Sequence, residues 1–133
     1  MAAKGGDTTS ALGLLVLRLG AAGMLAYGHG WPKFAHFAER AHKFADPLHV
    51  GSQYSLAMAV FAELICATCV LFGFMTRLAV VPILILFGVI IFVVSGGEPL
   101  LERDLAIIYA VAFLAIALMG PGKYSVDGAR GNA

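Results

Sequence analysis

Two charges stand inside stretches that are otherwise free of them. Arg18 is the only charged residue between Asp7 and Lys33, and Glu63 is the only one between Asp46 and Arg77. A charge near the middle of a membrane span costs roughly 2.5–3.5 kcal/mol on insertion scales, so it faces a partner or a wetted cavity. At ~1.5 Å of rise per residue, Arg18 lies about 10 Å into the first apolar helix, and Glu63, on a second helix running back, roughly 18 Å from the same side. An extended arginine spans much of that difference, so the spacing predicts an Arg18–Glu63 contact, direct or through water. Three roles stay open for it. The pair can hold a polar headgroup such as that of a quinone, Glu63 can relay protons, or the pair is a salt bridge that fixes helix packing and register.

A second polar group is expected at the far end, where His29 closes the first helix, Lys33 follows one turn later and Asp104 opens the fourth helix. Arg18, Ala22, Leu25 and His29 recur at spacings of four, three and four, which puts them on one helix face. Both polar groups are thus expected to open into one cavity. The competing reading is interfacial anchoring, with Trp31 at the membrane boundary and Asp104 capping its helix. Cys66 and Cys69 make a CxxC spacing, but deep within a helix rather than at the N-terminus that would activate a thiol, so close packing explains them better. Of four histidines only His29 touches an apolar run, which leaves no facing pair of axial ligands for haem, and no zinc spacing is present. No metal is expected. The glycines at 13, 20, 23, 28 and 88 suggest close helix contacts, with Gly20, Gly23 and Tyr27 along one stripe.

These residues need a scaffold, and the composition names its solvent. Of 133 residues 60% are hydrophobic, only 13% are charged, and mean hydropathy is +0.88. A soluble domain of this size is nearer half apolar and a quarter charged, so lipid is the expected surroundings. Disorder, nucleic-acid binding and an ordinary cytosolic enzyme are excluded as classes. Four charge-free runs are long enough to cross ~30 Å of hydrocarbon as helices, with cores near residues 11–29, 54–75, 78–95 and 104–119. The runs are continuous rather than alternating, which argues against barrel strands. The fold expected is all-α: one domain, a membrane four-helix bundle. Its one long connection carries an amphipathic interfacial segment, about residues 33–48. There Phe34, Phe37, Ala38, Ala41, Ala45 and Leu48 fall on one face and His36, Glu39, Arg40 and Lys43 on the other. Pro32 suits the start of that segment and Pro47 its end, while Pro82 is expected in about the first turn of the third helix, where a missing amide donor costs little. A cleaved leader is not expected, because Arg18 interrupts the first apolar run. Basic residues tie at four on each side, and crediting Arg18 to the terminal side tips the chain toward cytoplasmic termini.

Several short motifs, weak singly, become specific in their order. They are Leu17-Arg18-Leu19-Gly20, His29-Gly30-Trp31-Pro32-Lys33, Glu63, Gly73-Phe74-Met75-Thr76-Arg77 and Gly120-Pro121-Gly122-Lys123-Tyr124-Ser125-Val126-Asp127. With them the chain resembles the DoxX family of small four-helix bacterial and archaeal membrane proteins, over about residues 12–127. It departs from the family where Asp104 replaces the usual glutamate, which shortens the reach of that carboxylate. The cysteine pair is also outside the family pattern. The resemblance implies a multi-pass protein of the cytoplasmic (inner) membrane, tied to thiosulfate:quinone oxidoreduction, quinol oxidase complexes or oxidative-stress assemblies.

Two functions follow. One is a subunit of a quinone-linked redox complex, with Arg18, Glu63, His29, Lys33 and Asp104 lining a quinone-headgroup pocket between the first, second and fourth helices. The other is a non-catalytic accessory subunit, packed at the edge of a larger membrane complex through a small-residue helix face. Neither is a self-sufficient enzyme: no haem, flavin or iron–sulfur motif is present, so electrons would pass through a partner subunit. A small transporter is a third and weaker reading, since no inverted repeat is detectable. The expected surroundings are the lipid bilayer and other membrane subunits.

Overall fold

The structure, a computed structural model, describes residues 4–42, 46, 48–94 and 104–130. Every regular element among them is helical. The first rod, α1, is α-helical over Lys4–Gly23, widens into π-helical turns over Met24–Gly30 and finishes as Trp31–Ala35. A short helix α2 follows at Phe37–Arg40. The second rod, α3, repeats the pattern: Ser52–Val60, π-helical Phe61–Cys66, then Ala67–Phe72. Helix α4 spans Thr76–Val89 and continues in π-helical form over Ile90–Val94. Helix α5 covers Asp104–Met119, and a last turn, α6, covers Val126–Ala129.

Three helical stretches are long and apolar enough to cross a membrane: Thr8–Ala35, Ser52–Phe72 and Thr76–Val93. The described part of α5 is apolar but shorter, 16 residues or ~24 Å. Helix α1 packs on α3 and α5, and α4 packs on α3 and α5, around one core. Ala22, Leu25, Ala67, Val70, Val80, Ile83, Phe113 and Ile116 are its fully buried apolar members. Helix α1 does not stop at His29, as its sequence suggests, but runs through Pro32 to Ala35. The turn before the proline is already widened, with the Trp31 N–H reaching back to the Ala26 carbonyl, and a widened turn tolerates the ring that a regular α-helix rejects. Pro82, expected near the start of its helix, lies inside α4, where the N–H it lacks would have bonded the Leu78 carbonyl.

The expected amphipathic segment is seen only in part, since residues 43–45 and 47 lie outside the described residues. Ala41 packs with Leu56 and Val60 of α3, and Phe37 lies against them, so α2 is pinned to the start of the second rod. Asp46 organises the following turn. Its carboxylate accepts hydrogen bonds from the Val50 and Gly51 N–H groups and from the Ser55 hydroxyl, at 3.0, 2.8 and 2.8 Å. The Ser55 hydroxyl, followed by these N–H groups and nearby His49, holds the Asp46 carboxyl below the usual carboxylate range, against the smaller opposing effect of burial. The glycine stripe behaves differently from expectation. A Cβ at Gly13, Gly20, Gly28 or Gly88 would meet nothing within 4 Å among the described residues, whereas one at Gly23 would lie 3.8 Å from the Leu71 side chain.

At the end where the α3–α4 turn and α6 lie, helix ends are closed by side chains from elsewhere in the chain. A helix leaves its last carbonyls and first N–H groups unpaired, and its dipole favours cations at the C-terminus and anions at the N-terminus. Arg18, 1% exposed, donates from Nε to the Val70 carbonyl (3.1 Å) and from Nη2 to the Leu71 carbonyl (2.8 Å), which closes the end of α3. Its Nη1 donates to the carbonyls of Pro121 (3.0 Å) and Tyr124 (2.9 Å), tying down the turn after α5. Arg77 donates from Nε to the Ala117 carbonyl near the end of α5 (3.0 Å). Asp127 does the converse: its carboxylate accepts the N–H groups of Met75 and Thr76, both at 3.0 Å, at the start of α4. Gly73, left-handed at φ 73°, makes the α3–α4 turn, and a Cβ there would overlap Ser125. Thus a five-residue motif at the turn and an eight-residue motif at the tail are two halves of one lock.

Burial pushes the Asp127 carboxyl up, but the Thr76 and Met75 N–H groups, the adjoining Thr76 hydroxyl and the Arg130 charge outweigh it and hold it below the usual carboxylate range. A folded-state pKa below the unfolded value of about 3.9 adds stability above that pH, and the gain disappears as pH falls through the folded value. Asp127→Asn is therefore expected to unfold earlier than the natural chain at pH 7 in detergent micelles. The gap in thermal midpoint should shrink as the pH is lowered from about 5 toward 3.

Candidate functional site

The second polar group lies beyond the middle of the rods, where the π-helical turns of α1 and α3 face one another. Gly30 makes this approach possible. A Cβ there would sit 2.7 Å from the carbonyl carbon and oxygen of Glu63 and from the Leu64 nitrogen, so two backbones touch at this point. One turn on, Lys33 Nζ lies 2.7 Å from Glu63 Oε1. Glu63 is 3% exposed, and Lys33 is partly open. The contact is close enough for an ion pair but lies off the hydrogen-bond axis, so Oε1 has no well-directed donor. Widened turns of this kind occur mostly as single bulges within helices, often at functional sites.

A groove of about 510 Å³ opens beside the pair. Its walls come from α3 (Ser55, Met58, Ala62) and α4 (Pro82, Ile85, Leu86), with Lys33 and Glu63 as its charged members. Met58, Phe61 and Ile85 along it are exposed, so the groove faces outward from the helix pair, where lipid would lie. Tyr109 of α5 is buried in the core, close enough to Glu63 to feel its charge. Its ring stacks on Phe87 (5.4 Å, 16°) and Phe113 (6.4 Å, 29°), and His29 meets it edge-on at 5.7 Å and 85°.

The sequence-predicted residues therefore divide into two sites. Lys33 and Glu63 are brought together, and His29 stands near them through Tyr109. Arg18 does not meet Glu63. Val70 is seven residues beyond Glu63, about 10 Å along the helix, and the four carbonyls around Arg18 use its donors at that end. Ala22, Leu25, Ala62 and Cys66 are buried in the core, and among the described residues the groove beside Lys33 and Glu63 is not lined by Arg18. Asp104 is exposed at the start of the described part of α5, and among the described residues it has no ion-pair partner. The groove lies between α3 and α4, not between the first, second and fourth helices. Cys66 is buried in the core, Cys69 is half-buried, and both are free. Among the described residues no cluster of three or more histidine, cysteine or acidic side chains has a metal-binding arrangement.

A family model described as DoxX matches residues 13–96, well over half of the chain. The chain belongs to the DoxX family. It is a multi-pass membrane protein with three long apolar helices, and both polar sites carry side chains from within the DoxX match. Arg18, Lys33 and Glu63 all fall inside it, whereas Asp104, Tyr109 and Asp127 lie beyond. No curated protein and no solved structure matches the chain.

Sequence reasoning overlooked Tyr109 and the pairing of Lys33 with Glu63. The available signal was Gly30, a glycine one turn before a lysine at the end of an apolar run. Lys33→Met would leave Glu63 buried without its cation, and breaking one side of a buried pair costs roughly 3–5 kcal/mol. The double variant Lys33→Met/Glu63→Leu is expected to regain most of that loss. Unfolding midpoints of the two singles and the double in micelles, read as a double-mutant cycle, check the pairing.

Proposed function

We propose that this DoxX protein is a membrane-embedded subunit of a quinone-linked redox complex, and that it holds the quinone headgroup at Lys33 and Glu63. The carrying observation is the groove: an apolar slot open to the lipid side, with one buried ion pair in its wall. Ligand sites of this kind are mostly apolar, with a few placed polar groups that set orientation. A quinone has the matching chemistry. One ring carbonyl accepts a hydrogen bond from the Lys33 ammonium, and the hydroxyl of the reduced form donates to Glu63 Oε1, which lacks a well-directed donor. The isoprenoid tail lies along Met58, Ile85 and Leu86. Tyr109 and His29 back the carboxylate from the core side, so Glu63 can hold or pass a proton without facing bulk water. Electrons come from a partner subunit.

In this reading the chain crosses the bilayer four times as a helical bundle, with residues about 33–48 at the interface on the far side. Support comes from the return of α5: the Gly122 turn lies against Leu14, and Lys123 Nζ reaches the Thr8 hydroxyl at 3.4 Å. Both termini then share one side, which we place in the cytoplasm of a bacterial or archaeal cell. The accessory-subunit reading is favoured by one observation, the outward glycines of α1 at 13, 20 and 28, which leave room for a close neighbouring helix.

A photoreactive quinone analogue with an isoprenoid tail, added to the full-length protein in lipid nanodiscs, separates these readings. Labelling is expected on peptides containing Met58 and Leu86, with at least about tenfold weaker labelling in Lys33→Met/Glu63→Leu, the equivalent of losing one good charged contact. Labelling that is diffuse, or unchanged in the double variant, overturns the quinone site and leaves the accessory role.

A further inference from the structure

At the opposite end of the molecule, the α3–α4 turn carries a second pocket that the quinone reading does not use. It is about 290 Å³ in volume and is bounded by Thr76, Arg77, Leu78, Asp127 and Arg130. We propose that this pocket binds the phosphate of an anionic phospholipid.

The charge balance favours an anion. Two guanidinium groups face one carboxylate, and both oxygens of that carboxylate already accept backbone N–H groups. Among the described residues, the Arg77 guanidinium makes one hydrogen bond, from Nε to Ala117, and the Arg130 guanidinium makes none. Arg130 is held instead over the ring of Phe74, 5.8 Å from its centroid, which positions its fork without consuming donors. The Thr76 hydroxyl is buried against the Asp127 carboxylate and makes no well-directed hydrogen bond. Paired guanidinium forks match phosphate oxygens bidentately, and basic pockets between membrane helices take anionic headgroups.

The rim says which kind of phosphate. Helix α3 ends at Phe72 and α4 begins at Thr76, so the pocket stands at headgroup level, where the apolar helices stop. Phe72, Met75 and Leu78 beside it are exposed apolar side chains, 60%, 47% and 63% accessible. Acyl chains of a bound lipid would cover them, whereas a soluble phosphate would leave them bare. A phosphocholine lipid offers the same phosphate but brings a quaternary cation toward two arginines.

The test uses the full-length protein in detergent micelles, with thermal unfolding followed while phosphatidylglycerol, phosphatidylcholine or soluble glycerol 3-phosphate is titrated. Phosphatidylglycerol is expected to stabilise at a lower concentration than phosphatidylcholine. Each arginine should contribute about fivefold to that preference, the usual worth of a basic residue at an anionic surface. Arg130→Gln, which closes no helix end, is expected to lose about fivefold, and Arg77→Gln/Arg130→Gln to lose the preference altogether. Arg40→Gln, on α2, should leave it unchanged. Equal responses to the two lipids overturn the proposal, as does an equal loss in Arg40→Gln, which would mean general surface charge. A full response to glycerol 3-phosphate overturns the lipid as occupant. If the double variant fails to fold, Arg130→Gln alone decides: no loss of preference contradicts the site.

Discussion

Hydrocarbon has no hydrogen bonds to offer, so every helix end near it must find partners within the chain. Arg18 meets this constraint most fully here. One guanidinium, nearly sealed from solvent, serves two carbonyls at the end of α3 and two in the turn after α5. Three segments at least fifty residues apart in sequence are thereby joined at a point. Arg77 and Asp127 extend the scheme to the end of α5 and the start of α4, each with the sign that the local helix dipole favours. The lock fixes where the rods begin and end.

The far halves of the rods are where the chain deviates from regular helix. Both α1 and α3 widen to π-helical geometry at the same level, with Gly30 letting their backbones touch at Glu63. A buried ion pair of this kind adds little net stability beside well-packed apolar side chains. Its presence at the wall of an open apolar groove is what the proposed ligand site rests on. The division of labour is spatial: one charged residue of α1 is consumed by the scaffold, and another, fifteen residues on, is left partly accessible.

Much of this was legible from residue types alone. Charge-free runs located the long helices, and the isolation of Arg18 and Glu63 marked both as internal. Their assignment to each other failed for a physical reason. Sequence spacing weighs side chain against side chain, but the groups that claimed Arg18 are backbone carbonyls at a helix end, and every residue has one. Pro32 misled in a similar way, because a proline signals a helix stop unless the preceding turn is widened, and no residue pattern announces a π-helical turn. The glycine stripe points to close helix contacts, but among the described residues only Gly23 has a neighbour, Leu71, and that at ordinary van der Waals distance. The glycines that matter, Gly30 and Gly73, stand singly.

The central claim is that the two polar sites are independent, with Arg18 as scaffold and Lys33–Glu63 as ligand site. Arg18→Met tests it most directly when stability and quinone-analogue affinity are measured on the same preparation. Four carbonyls lose a charged donor, so the unfolding free energy should fall by roughly 3 kcal/mol or more, while the protein that remains folded binds the analogue with the affinity of the natural chain. Unchanged stability together with lost binding would place Arg18 in the ligand site and contradict the account.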